Sequence, residues 1–186
     1  MWLMIINTCY SQFNDSTHYH IKYLATGIIN KTNQSSSFVL NNSFAFGVNH
    51  KKITLVHDYG HHPVEIAKNL QAMRDVFKGR RLFVVFQPHR YTRTRDLMNE
   101  FAHVLATADL IFLMDIYPAS ELPITGISSA VLYERMTHAQ KYYFSDQAIV
   151  AQILDHVKED DVLVIQGAGD LDQSVLAVLK TLSQAE

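Results

Sequence analysis

The densest run of chemically capable side chains is Gln87-Pro88-His89-Arg90-Tyr91-Thr92-Arg93-Thr94-Arg95-Asp96. Arginine presents a planar fork that grips a carboxylate or phosphate through two parallel hydrogen bonds. The run follows an apolar strand-like stretch and precedes a helical pattern, with Thr94 the expected cap of that helix. A helix start adds free N–H groups and a partial positive charge, so Arg90, Arg93 and Arg95 are a candidate anion site. The competing reading is a set of solvated arginines with one salt bridge to Asp96.

A second polar run, Asp58-Tyr59-Gly60-His61-His62-Pro63, offers a carboxylate, a phenol and two imidazoles. Histidine can donate, accept, bind an anion when protonated, or ligate a metal. His57 and His61 are four apart, but Gly60 and Pro63 argue against one helix carrying both, and no cysteine or acidic cluster joins them. No metal site is assigned. Gly167-Ala168-Gly169 is only part of a dinucleotide-binding turn and reads as a tight turn that lets backbone approach a neighbour or ligand, and no phosphate-binding loop ending in Gly-Lys-Ser/Thr occurs. Cys9 reads as a small apolar side chain, and Tyr10, Phe13, His18, Tyr19 and His20 as packing residues.

The elements that must position these runs are legible from Lys52 onward. Ile53–His57, Leu82–Phe86, Leu110–Met114, Tyr142–Phe144 and Val162–Ile165 read as strands. Helical spacing recurs in Pro63–Lys78, stopped by Gly79, in the segment after Thr94, and in Ile127–Met136, Asp146–Val157 and Leu171–Leu182. Alternating strands and amphipathic helices predict an α/β fold: an open, doubly wound, mainly parallel, Rossmann-like sheet with helices on both faces. Ligands bind such sheets outside the carboxyl ends of the strands. The unusual polar runs all follow predicted strands, and so would share that rim. Two more are Asp115-Ile116-Tyr117-Pro118 and Gln166-Gly167-Ala168-Gly169-Asp170.

Composition sets outer bounds. The 186 residues are 48% hydrophobic and 18% charged, with formal net charge −2 and one cysteine. This suits a globular chain with a real core and excludes an intramolecular disulfide. It implies no polyanion partner, hence no nucleic acid. Met1–Ile6 is too short to span a membrane and lacks the marks of a signal peptide, so a cytoplasmic location is expected. Residues 1–51 are rich in Asn and Ser and weakly patterned. Within them Ser37–Leu40 and Phe44–Val48 could pair as a hairpin across Asn41-Asn42. The expected division is an extension over 1–51, a remnant of a larger domain or an appended piece, and one domain over 52–186.

The runs beginning at Asp58 and Phe86 resemble the C-terminal domain of the UDP-N-acetylmuramate–L-alanine ligases of the Mur ligase family. The likeness continues through Asp115–Ile124 and Gln166–Asp170, and covers roughly Ile53 to the end. It implies an ATP-dependent carbon–nitrogen ligase of peptidoglycan precursor synthesis, using ATP and Mg2+. The muramate carboxylate becomes an acyl phosphate, which the amine of L-alanine attacks. In the intact family enzyme this domain swings in to close a site shared with an N-terminal domain holding the UDP-sugar and a central domain holding ATP. Tyr59, His61, Arg90 and Arg93 carry over as substrate-binding residues, and Asp58 and His62 as nucleotide contact or loop support. His89, Thr92 and Thr94 carry over as supporting or capping residues. No catalytic residue and no metal ligand is assigned. The central domain's phosphate loop is missing before Ile53, so the chain is expected to be inactive alone and to bind ATP only weakly. UDP-N-acetylmuramate, L-alanine and ATP are then partners only together with the missing domains, supplied by a ligase partner chain. The alternative is a non-catalytic paralogue serving as a binding or regulatory module. His57, Ser120 and Asp170 depart from the family pattern, which usually has an acid, a glycine and an asparagine there.

Overall fold

Apolar runs with no polar face can only be buried on both sides, and here they are. The computed structural model describes residues 20–23, 43–48, 53–138, 140–144 and 149–184. In chain order the elements are β1 (His20–Tyr23), β2 (Ser43–Val48), β3 (Ile53–Asp58), α1 (Pro63–Val76), β4 (Leu82–Phe86), α2 (Tyr91–Asp96), α3 (Met98–Leu105), β5 (Leu110–Leu113), α4 (Ser129–Arg135), β6 (Lys141–Tyr143), α5 (Ile149–His156), β7 (Val162–Gln166) and α6 (Asp172–Gln184). Every residue of β4, β5 and β7 is buried. Alternation splits them between two cores. Leu82, Val84 and Phe86 meet α1 and α3 through Ile66, Leu70 and Phe101. Phe83 and Val85 meet α5 and α6 through Ile153, Val175 and Val178.

The sheet order is β1-β2-β3-β7-β4-β5-β6. The five strands β3, β7, β4, β5 and β6 are parallel. The chain steps from β3 out to β6 over one face and returns to β7 over the other, as right-handed crossovers require. Because β7 lies between β3 and β4, neighbouring strands there send their following helices to opposite faces. That reversal opens a crevice at the carboxyl ends of β3, β7 and β4.

Two differences from expectation stand out. The strand expected over Phe44–Val48 is present, but its neighbours are β1 and β3, both antiparallel. The segments Ser37–Leu40 and Asn41-Asn42, like Cys9, Tyr10, Phe13, His18 and Tyr19, lie outside the described residues. Thr94 is not a helix cap. It lies inside α2, fully buried, and its hydroxyl donates to the Arg90 carbonyl at 2.8 Å. The single helix expected there is two short ones broken at Leu97, whose φ is −121°.

The opposite rim of the sheet is tied by ion pairs. Arg81 holds Asp161 at 2.6 Å, Arg80 holds Asp160 at 3.0 Å, and Arg74 holds Asp109 at 2.7 Å. These arginines are spent on joining elements. The arginines at the carboxyl rim are placed differently.

Candidate functional site

The β3–α1 loop is built around its own glycine. Asp58, 3% exposed, accepts the Gly60 N–H at 2.7 Å and the Gln166 side-chain amide at 2.7 Å through the same oxygen. A Cβ on Gly60 would lie 2.4 Å from that oxygen and 2.9 Å from the Gln166 amide nitrogen, so the turn has no room for a side chain. The next residues cap α1. His62 accepts the Val64 N–H through Nδ1 at 3.3 Å, while Glu65 accepts the His61 and His62 N–H groups at 3.0 and 3.1 Å. This is a reciprocal capping box with histidine in the usual serine's place. Burial alone would raise the Glu65 carboxyl. The two N–H bonds and the neighbouring imidazoles outweigh it and hold the group below its ordinary value. Asp58 and His62 thus both serve the loop itself.

His61 points the other way. Its Nδ1 donates to the Tyr59 carbonyl at 2.9 Å, which leaves Nε2 as an acceptor while the ring is neutral. Tyr59 is 48% exposed and meets the His61 ring edge-on at 5.8 Å.

The β4–α2 loop brings its groups to the same place. His89 forms a parallel bridge with Tyr117 and stacks on its ring at 5.6 Å. Its ring centre is 5.4 Å from that of His61. Arg93 donates to His89 Nδ1 at 3.3 Å, so the imidazole keeps its proton on Nε2. Burial, then the charges of His61, Arg93 and Arg90, push the His89 pKa down, with Glu121 opposing. A neutral ring between cations is the consequence.

Arg90 has φ 75° and ψ 137°, a conformation disfavoured for any residue with a Cβ. Its neighbours hold it there. Its N–H donates to the Tyr117 carbonyl at 2.8 Å, and its own carbonyl accepts Thr94 N–H at 3.1 Å. Such strain costs on the order of 1–3 kcal/mol and persists only where the surroundings over-determine it. Neither Arg90 nor Arg93 forms a salt bridge with a carboxylate among the described residues. Arg95 differs: it pairs with Asp96 at 2.7 Å on an exposed face. The solvated-pair reading therefore describes Arg95 and leaves the other two.

Several residues to which the sequence reading gave no role complete the rim. Glu121 accepts the Thr92 N–H at 3.0 Å and hydroxyl at 2.6 Å, and these bonds hold its carboxyl below the usual range. Gln166 and Gln87, both fully buried, tie loops together through Asp58 and Asp170, the latter at 3.2 Å. The Tyr143 hydroxyl donates to Asp115. Gly169 passes so close to Gln87 that a Cβ would lie 2.0 Å from its side-chain oxygen. Apart from Gly169, whose turn was expected to let backbone approach a neighbour, only the abundance of polar residues after each strand hinted at this layer.

The structure thus joins Tyr59, His61, His89 and Arg93 in one chain of contacts, with Arg90 within electrostatic reach of the same imidazole. Two guanidinium groups suit an oxyanion. Among the described residues no three of His, Cys, Asp and Glu converge to hold a metal ion. Asp58, the most buried carboxylate of the rim, is already engaged with the loop. The described groups of this rim therefore do not fit a Mg2+ site.

Comparison with known proteins agrees. Residues 46–169, a span that begins within β2, match the family model described as Mur ligase, glutamate ligase domain. The chain is 43% identical over 130 residues to the UDP-N-acetylmuramate–L-alanine ligase of Hydrogenovibrio crunogenus, covering 68% of this chain and 28% of that protein. It is 44% identical over 140 residues to the enzyme of the same name from Bdellovibrio bacteriovorus, covering 75% and 31%. It thus spans less than a third of these relatives. The fold is shared with the UDP-N-acetylmuramate–alanine ligase of Thermotoga maritima at TM-score 0.60 and 23% identity, over 74% of this chain and 28% of that one. A domain of a putative UDP-N-acetylmuramate:L-alanyl-γ-D-glutamyl-meso-diaminopimelate ligase from Haemophilus ducreyi gives TM-score 0.54 at 22% identity, over 71% and 93%. With a five-stranded parallel sheet, its loops in sequence and the family match all in agreement, the chain belongs to the Mur ligase family, as a Mur ligase C-terminal domain related to the UDP-N-acetylmuramate–L-alanine ligases.

Proposed function

We propose that this chain is the substrate-closing domain of an ATP-dependent ligase that joins L-alanine to UDP-N-acetylmuramate, and that it does not catalyse ligation alone. The observation that carries this reading is the pair Arg90 and Arg93 beside His61 and His89 at the reversal point of the sheet, with no salt bridge to a carboxylate among the described residues. The guanidinium groups hold the amino-acid carboxylate or the transferred phosphate. Tyr59 and His61 orient the substrate by hydrogen bonds. The closing rim excludes water, which protects an acyl phosphate from hydrolysis. ATP and Mg2+ belong to the site this domain closes upon, where the ion offsets phosphate charge. The UDP-sugar, L-alanine and ATP are brought to reaction by this chain only with the remaining domains, on a partner chain or a longer polypeptide. On this reading the chain works in the cytoplasm, with no nucleic acid or membrane as partner.

Titration of the chain with UDP-N-acetylmuramoyl-L-alanine and, separately, with ATP–Mg2+ tests this by side-chain nuclear magnetic resonance. The first ligand is expected to shift the Arg90, Arg93 and His61 signals. Arg90→Ala is expected to weaken that binding by about 10- to 100-fold, the range of a hydrogen bond to a charged group, with the unfolding midpoint unchanged. Saturable ATP binding at micromolar concentration, or equal loss of binding and stability in Arg90→Ala, overturns the reading.

A further inference from the structure

Helix α2 begins at an arginine. Its N-cap residue is Arg90, whose side chain has no acceptor and makes no capping hydrogen bond. Yet the first-turn donors of α2 are not left bare. The carboxylate of Glu121, far along the chain, accepts both the N–H and the hydroxyl of Thr92. The turn that delivers Glu121 is itself strained: Ala119 has φ 48° and Ser120 φ 70°, both non-glycine residues in the left-handed region. The Glu121 N–H donates to the Pro118 carbonyl at 2.9 Å, which closes that turn. One residue earlier, the Tyr117 carbonyl accepts the Arg90 N–H at 2.8 Å. The segment 117–121 therefore holds the start of α2 from outside, at its backbone and at its first turn.

We propose that Glu121 is a positioning residue: it caps α2 from a distance, and so fixes Arg90 and Arg93 without forming a salt bridge to either guanidinium group. An ordinary Ser or Asp at position 90 would cap the helix and forfeit the arginine. Capping from a second loop permits both. The inference rests on the reading of Arg90 and Arg93 as an anion grip, and adds the device that sets their geometry. It also makes an unusual prediction about sign. Glu121 is a negative charge near a cationic cluster, and charge alone says that removing it should tighten anion binding. Positioning says that removing it loosens binding, because the helix start that carries Arg93 frays.

Glu121→Gln and Glu121→Ala separate the two effects. The amide loses the charge, keeps one oxygen to accept the Thr92 N–H, and turns its NH2 to donate to the Thr92 hydroxyl, which can accept as well as donate. Alanine loses the charge and both bonds. Binding of inorganic phosphate to the whole 186-residue chain, at constant ionic strength, is read from the Arg90 and Arg93 side-chain resonances. Glu121→Gln is expected to bind phosphate at least as well as the unaltered chain. Glu121→Ala is expected to bind about fivefold more weakly, the worth of a typical helix cap. The His89 imidazole supplies a second readout. The charged or titratable groups that act on it are His61, Arg93, Arg90 and Glu121. Losing the Glu121 charge lowers its titration midpoint in both variants. Only alanine also lets Arg93 withdraw, so His89 should titrate higher in Glu121→Ala than in Glu121→Gln. If phosphate shifts nothing in the unaltered chain, the anion-grip reading fails and this inference with it. If phosphate binds, but the two variants bind it equally and His89 titrates alike in both, the positioning role of Glu121 alone is overturned.

Discussion

His57 shows how one side chain can set a pH dependence. It is the last residue but one of β3, 3.7 Å from Asp172 at the start of α6. Burial disfavours its charged form and lowers its pKa, while Asp172 and Asp58 pull the other way and lose. The unfolded chain therefore binds a proton near pH 6.5 that the folded chain refuses until lower pH. Stability accordingly falls as pH drops through 6.5 toward the depressed folded value, and is regained as pH rises. His89 is depressed for the same leading reason and adds to the same slope. Denaturant midpoints measured from pH 7.5 to 5.5 should decline in the unaltered chain and decline less in His57→Gln. A variant with an unchanged slope would show that His57 does not differ between the two states.

At the scale of elements, legibility followed the range of the interactions. The runs Leu82–Phe86 and Val162–Ile165 announce buried strands because every residue must avoid water, a local demand. His62-Pro63 with Glu65 likewise announces a helix start within four residues. The start of α2 was misplaced because its cap comes from Glu121 and its backbone anchor from Tyr117, neither local in sequence. Gln166 was passed over for the same reason: its partner Asp58 lies 108 positions away. The candidate cations were legible from type and spacing, whereas the groups that aim them were not. This layer is testable through Gly60. Its Cβ would strike Asp58 and the Gln166 amide, which anchor the loop rather than end in flexible chain. Gly60→Ala should cost about 1–3 kcal/mol of stability by overpacking, and should also displace His61. A chemical-denaturation curve superimposable on that of the unaltered chain would mean that the turn yields freely.

For the molecule as a whole, the open question is where the domain starts. The sequence pattern puts the boundary near residue 52, because the preceding residues lack period and carry many Asn and Ser. Yet β2 pairs with β3 along all six of its residues, from Ser43 opposite Asp58 to Val48 opposite Ile53. Without β2, β3 becomes an edge strand with bare N–H and C=O groups, and such an edge invites pairing with another chain. The strand over Phe44–Val48 was legible, but its pairing with β3 was not, because nothing local in a six-residue strand says which neighbour it will take. We expect that a chain starting at Lys52 is destabilised and a chain starting at Asn42 is much less so. If six ladder bonds contribute about 0.5 kcal/mol each, the loss is about 3 kcal/mol. For a chain of this size that is a drop of roughly 6–12 °C in thermal midpoint, with concentration-dependent aggregation. Matching midpoints for the two truncations would return the boundary to residue 52 and make β2 an appendage. A difference of the expected size would instead make β2 part of the unit that holds Asp58, and with it the histidine turn, at the carboxyl rim.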